Sequence, residues 1–100
     1  MKANEYQIAC QRTWSSTPSD REQIHNAALG LAGETGEVVE LIKKEMHHRR
    51  PIQHAELKAE LGDVAYYLAT LCTLYGMSMG DVLGANVAKL KARYPDGWPS

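Results

Sequence analysis

Two pairs of acidic residues stand out because the members of each pair are separated by one helical turn. Glu34 and Glu37 form the first pair, and Glu60 and Asp63 form the second. Residues three apart on a helix are neighbours, so each pair would present two carboxylates side by side. Carboxylate oxygens are preferred ligands of Mg²⁺, which commonly links protein carboxylates to the phosphates of a substrate. The spacing therefore indicates metal-assisted phosphate chemistry.

Either acidic pair alone also fits an ordinary solvated helix face, because acidic side chains are mostly exposed. The two pairs together are more informative. At about 100° per residue, both pairs lie on the same side of their helices, at the border between the predicted core and solvent. If these helices pack antiparallel, four carboxylates share one groove, where they would repel each other unless a cation lies among them.

Three glycines accompany the first acidic pair in "GLAGETGEVVELIKKE", residues 30–45. Gly30, Gly33 and Gly36 each cost about 1 kcal/mol relative to alanine in a helix interior. Small residues allow another backbone, or a phosphate with its metal ions, to come close to the helix. Close helix packing is the alternative explanation. A phosphate-binding loop is excluded, since the stretch lacks G-x-x-x-x-G-K-[ST].

Residues of complementary charge lie near the end of the chain. Asn86, Lys89 and Arg93 share one side of a predicted helix and could contact phosphate, although a solvated basic face would look the same. Lys43 is a weaker phosphate-binding candidate, because lysines near a helix C-terminus need no function. Trp14 could stack on a nucleotide base, with core packing as the alternative.

The composition is that of one small domain, residues 1–100. The net charge of −1, from 11 basic and 12 acidic side chains, gives no electrostatic reason to expect nucleic acid or a membrane as a partner. Cys10 and Cys72 lack metal-ligand spacing and are expected to be reduced core thiols. No apolar run is long enough for a signal peptide or a membrane span, so we expect a cytoplasmic protein.

The hydrophobic spacing is helical throughout and predicts an all-α bundle of four helices. The predicted helices cover about 4–14, 19–46, 53–75 and 78–93. Pro51 and Pro95 cannot continue a helix, and Gly76 is the expected C-terminal cap of the third one. Capping boxes are predicted for three helices, at Asn4–Gln7, Ser19–Glu22 and Ser78–Asp81.

Each of the three longer helices has an apolar stripe that we expect to form the core. The stripe of the second helix consists of Ile24, Ala28, Leu31, Val38 and Ile42. That of the third consists of Leu57, Leu61, Val64, Leu68, Leu71 and Tyr75, and that of the fourth of Leu83, Val87, Leu90 and Tyr94. Further apolar residues lie outside the stripe of the second helix, which predicts at least a homodimer.

Three stretches together resemble the MazG-like nucleoside triphosphate pyrophosphohydrolases. They are "GLAGETGEVVELIKKE", "ELGDVAYYLATLCTLYGMS" and "NVAKLKARYPDG", which place E-x-x-E, E-x-x-D and N-x-x-K in the order of that family. The resemblance extends from about residue 28 to 97. These enzymes belong to the all-α superfamily that includes the dimeric dUTPases and the dCTP pyrophosphatases.

The resemblance implies Mg²⁺-dependent hydrolysis of a (deoxy)nucleoside triphosphate between its α and β phosphates, for nucleotide-pool control, with Mn²⁺ as a substitute metal. It implies that the metal ligands and catalytic carboxylates are Glu34, Glu37, Glu60 and Asp63. It also implies that Asn86 and Lys89 contact the phosphate or sugar, in a dimer or tetramer whose sites are shaped partly by a neighbouring subunit. The sequence leaves open which glutamate is the general base and which base the substrate carries.

A noncatalytic helical interaction module is the alternative function. In that interpretation the acidic pairs make surface salt bridges, and the "HHRR" stretch at 47–50 binds an acidic partner. Magnesium-dependent release of pyrophosphate from nucleotides would separate the two.

Overall fold

The computed structural model describes residues 1–99 and contains four α-helices and no strand in this part of the chain. The helices are α1 (Ala3–Gln11), α2 (Asp20–His48), α3 (His54–Leu74) and α4 (Met79–Arg93). The predicted all-α fold is confirmed. Ser100, the last residue of the predicted domain, lies outside the described residues. Among the helices described, none combines the length and apolar character needed to cross a membrane.

The ends of the long helices follow local sequence signals. The Ser19 hydroxyl accepts a hydrogen bond from the Glu22 N–H at 3.2 Å, which confirms Ser19 as the N-cap of α2. The Glu22 carboxylate accepts a hydrogen bond of 3.2 Å from the Ser19 hydroxyl. At the end of α3, Gly76 has a φ of +70°, where glycine is favoured. The Met77 N–H then bonds to the Cys72 carbonyl at 2.8 Å, so the predicted glycine cap is confirmed.

The predicted capping box of α1 is wrong. This helix begins one residue earlier, and its N-cap, Lys2, makes no side-chain hydrogen bond. The side chains of Asn4 and Gln7 instead accept hydrogen bonds from the Gly80 and Met79 N–H groups at 2.8 and 2.7 Å. A helix leaves its first N–H groups without partners inside the helix, and those of α4 compete successfully for these two side chains.

Helices α2 and α3 run antiparallel and pack along their length. The ring of Tyr67 lies directly against Gly30, and Glu34 approaches Glu60 and Asp63 further along the pair. Increasing numbers on α2 therefore meet decreasing numbers on α3. The glycine stripe has mixed roles. Gly30 is needed for close packing, whereas a β-carbon at Gly33 or Gly36 would meet nothing within 4 Å outside its own helix among the described residues.

The buried core of the single chain is small. Its hydrophobic members are Cys10, Ala27, Ala69, Cys72 and Met79. Both cysteines are buried and unpaired, as predicted.

Many residues of the predicted core are exposed in the single chain. For these residues the prediction of burial is wrong. The exposed members of the three stripes are Ala28, Ile42, Leu61, Tyr75, Leu83, Val87 and Leu90. The physical reason is an open arrangement: the radius of gyration is 16.3 Å, against about 13 Å for a compact chain of 100 residues. No Cα atom of α2 lies within 8 Å of one in α4 over the described ranges, so these two helices cannot cover each other.

Candidate active site

Three of the four predicted acidic ligands meet between α2 and α3. Glu34, Glu60 and Asp63 each offer a carboxylate oxygen, and these oxygens all lie within 4.8 Å of one another. Oxygens around an octahedral ion with bonds of about 2.1 Å are separated by about 3 to 4 Å. Small side-chain adjustments would therefore bring all three oxygens onto one divalent cation. We call these three residues the acid cluster.

The acid cluster is electrostatically unfavourable without a cation. A hydrogen bond with Glu34 raises the pKa of Glu60, and desolvation and the charges of Glu34, Glu37 and Asp63 raise it further. Glu37 is exposed and lies outside the cluster, but its charge still acts on Glu60. The protein has thus gathered negative charge at a position where a metal ion would relieve the repulsion.

Tyr6, which no sequence motif marks as functional, brings α1 to the edge of the acid cluster. Its hydroxyl donates a hydrogen bond of 3.4 Å to the carbonyl of Gly62, the residue before Asp63. Burial, with a hydrogen bond to Cys10 and the nearby charge of Asp63, raises the pKa of Tyr6 to about 12. Tyr6 is therefore a neutral phenol at physiological pH. No local signal in the sequence predicts this contact, because it joins residues more than 50 positions apart.

A cavity of about 350 Å³ has in its wall Tyr66, which lies one helical turn from Asp63 of the acid cluster. It is lined by Thr13, Trp14, Ser15, Pro18, Gln23, Asn26, Tyr66 and Tyr67. We call it the aromatic cavity. Its volume falls within the range of about 300–1,000 Å³ typical of small-molecule sites. Tyr66 follows Asp63 by three residues, a spacing that could have suggested its position beside the acids.

Trp14 is half-buried in the wall of the aromatic cavity. Its indole N–H donates a hydrogen bond of 2.9 Å to the Gln23 side chain. The ring centroid is 6.3 Å from that of Tyr66 and 6.3 Å from that of Tyr67, within the range of aromatic contacts. Trp14 therefore packs against protein, and it also lines the aromatic cavity. Its stacking on a nucleotide base stays a prediction.

The predicted phosphate-binding residues of α4 do not approach the acid cluster from the α2 side. Asn86, Lys89 and Arg93 are exposed on α4, and no Cα atom of α4 lies within 8 Å of one in α2 among the described residues. Lys43 is exposed on α2, nine residues beyond Glu34.

Comparison with known proteins identifies the family of this chain. The MazG nucleotide pyrophosphohydrolase domain matches residues 22–98, which include the acid cluster and all of α3 and α4. The chain belongs to the MazG nucleotide pyrophosphohydrolase family. Helix α1 and Trp14 lie before the matched region, so the MazG match covers the acidic side of the site but not the whole of the aromatic cavity.

A relative of this MazG protein is the Gene 37 protein of Mycobacterium phage L5. The two are 30% identical over 105 residues, covering 97% of this chain and 92% of the phage protein. No solved structure matches the chain.

Proposed function

We propose that this MazG protein hydrolyses a (deoxy)nucleoside triphosphate between its α and β phosphates, giving the monophosphate and pyrophosphate. The observation that carries the proposal is the acid cluster, in which three carboxylates from two helices converge within a MazG domain. We place the reaction in the cytoplasm, in control of the nucleotide pool.

The acid cluster would hold Mg²⁺, for which Mn²⁺ is a chemically similar substitute. The metal would neutralise charge on the phosphate oxygens and lower the pKa of a bound water. Glu34, Glu60 and Asp63 are its ligands in this proposal, and Glu37 borders the same site from the next turn of α2. One of the glutamates accepts the proton of the attacking water.

The aromatic cavity would receive the nucleotide base. Asn26 precedes Glu34 by eight residues, which corresponds to about 12 Å along α2. We propose that the nucleotide lies along α2, with its base at the Asn26 end and its phosphates at the Glu34 end. Trp14 and the two tyrosines offer aromatic faces and edges to a planar base, and the exposed Asn26 amide offers both a donor and an acceptor.

The functional form would be a dimer or tetramer. The exposed apolar stripe of α4, formed by Leu83, Val87 and Leu90, needs a partner that α2 does not supply. We propose that a second copy covers this stripe and that Lys89 and its neighbours contact phosphate in the assembled protein. Oligomers in which identical faces pair are the commonest assemblies of soluble proteins.

The test is an assay of pyrophosphate release from a panel of common and modified (d)NTPs, with and without Mg²⁺. We expect Mg²⁺-dependent release from at least one of them. Glu60→Gln should abolish it, whereas Glu56→Gln, one turn earlier on an exposed position of α3, should not. A folded wild-type protein that releases no pyrophosphate from any nucleotide would favour the noncatalytic interaction module.

A further inference from the structure

Helix α4 is attached to the rest of the chain at its first turns. Val82 is half-buried, but every residue from 83 to 93 is exposed. Contacts of α4 reach α1 and α3 and not α2 over the described helices. The direction in which α4 leaves the bundle is therefore set at its N-terminus.

Two side chains of α1 hold that N-terminus. The Gln7 side-chain oxygen accepts a hydrogen bond from the Met79 N–H at 2.7 Å, and the Asn4 side-chain oxygen accepts one from the Gly80 N–H at 2.8 Å. With the Ser78 hydroxyl, which accepts from the Asp81 N–H at 3.0 Å, three successive N–H groups are satisfied. We call the contacts of Asn4 and Gln7 with α4 the α1–α4 joint.

Gln7 is the central residue of the joint. It is one of the few buried polar residues, with 7% of its surface exposed. Its side-chain N–H groups donate to the Met77 carbonyl at 2.9 Å and to the Thr73 hydroxyl at 3.1 Å. All three polar functions of the amide are thus used, and they tie α1 to the end of α3, to the turn and to the start of α4.

We propose that Gln7 is a positioning residue, which sets the direction of α4 and so places Lys89 for contact with the substrate phosphates in the assembled protein. This inference rests on the proposed function, because it assigns Lys89 to phosphate. Lys89 lies ten residues beyond Met79, or about 15 Å along the helix. A small rotation at the joint therefore moves the ammonium group by several times more than it moves Met79.

The test is a double-mutant cycle between Gln7→Met and Lys89→Ala, read as kcat/KM for pyrophosphate release. Methionine keeps the length of the side chain and removes all three hydrogen bonds. We expect Gln7→Met to lower kcat/KM about tenfold in the wild-type background and less than about twofold in Lys89→Ala, since residues that act together are not additive. The Mg²⁺ concentration for half-maximal activity should not change, because the acid cluster lies on α2 and α3.

Gln11→Met is the matched control. Gln11 also donates to the Thr73 hydroxyl, at 3.3 Å, but it is exposed and is not part of the joint. The Gln11→Met variant should have the same kcat/KM as the wild type. If Gln7→Met does not fold, Asn4→Ala, at an exposed position of the joint, should show the same coupling to Lys89 with a smaller loss.

Equal losses in the two backgrounds would overturn the positioning role, and so would a loss matched by Gln11→Met. These outcomes require an active wild-type protein. Absence of pyrophosphate release from the wild type would instead refute the proposed function, so the two failures are distinguishable.

Discussion

The ring of Tyr67 on α3 lies against Gly30 on α2, in the space that a β-carbon at position 30 would occupy. Tyr67 also forms an edge-on contact with Tyr66, with ring centroids 5.2 Å apart. The contact between Tyr67 and Gly30 therefore limits how closely α2 and α3 approach each other. It lies beside both the aromatic cavity and the acid cluster.

Gly30→Ala should destabilise the protein, although alanine is the better helix former. Overpacking typically costs about 1–3 kcal/mol, against a gain in helix propensity of about 1 kcal/mol. Gly33→Ala is the matched control, because its β-carbon would meet open space. Denaturant unfolding of both variants checks the prediction, and a Gly30→Ala protein as stable as Gly33→Ala would contradict it. A loss of stability in Gly33→Ala would show that another surface, such as a second copy of the chain, packs against position 33.

Neutralising the acid cluster should separate activity from stability. Glu60→Gln or Asp63→Asn should remove most of the activity, while the metal-free protein at pH 7 should be as stable as the wild type or more so, because carboxylate repulsion is relieved. Mg²⁺ should raise the melting temperature of the wild type and have less effect on the variants. A Glu60→Gln enzyme with normal turnover at limiting Mg²⁺ would refute the metal assignment.

The difference in stability between Glu60→Gln and the wild type should depend on pH. The pKa of Glu60 is raised above its ordinary 4.5 in the folded protein, so the folded state holds this proton more tightly than the unfolded state. The stability that Glu60 contributes is therefore present below pH 4.5 and is lost as the pH rises through the raised pKa. Urea unfolding with a chelator should show the advantage of Glu60→Gln at pH 7 shrinking towards pH 4. An advantage that grows on acidification would have the wrong sign.

Association should be measurable without knowing the substrate. The exposed apolar stripe of α4 and the large radius of gyration predict at least a homodimer and favour a tetramer. Analytical ultracentrifugation at tens of micromolar is the measurement, and a stable monomer would exclude a site shared between subunits. Val87→Glu, at an exposed apolar position of α4, should shift the protein towards monomer, with Ala85→Glu on the same exposed helix as the control.

The two ends of the nucleotide should respond differently to mutation. Lys89→Ala should lower kcat/KM by a similar factor for every base, costing about 1.5–3 kcal/mol as a lost charge-assisted contact. Trp14→Ala should cost about 1–3 kcal/mol in base stacking and change the ranking among nucleotides. The measurement is kcat/KM for both variants across several (d)NTPs. If Lys89→Ala reorders the substrates while Trp14→Ala lowers all of them equally, the two ends have been assigned the wrong way round.

The features that could be predicted from the sequence are those that depend on interactions between residues close together in the chain. The start of α2 at Ser19 and the cap of α3 at Gly76 depend on hydrogen bonds between residues at most five apart, and both were predicted correctly. The one-turn spacing of Glu60 and Asp63 is likewise a property of a single helix. Such features need no knowledge of what packs against the helix.

Tertiary structure alone decided where the helices meet. The predicted capping box of α1 is wrong because the side chains of Asn4 and Gln7 accept hydrogen bonds from residues of α4, more than 70 positions away. Glu37 fell outside the acid cluster, because the rotation of α2 against α3 depends on packing such as that of Tyr67 on Gly30. Helical periodicity shows that a face is apolar but not what covers it, since hydrophobic attraction has no direction and any apolar partner satisfies it.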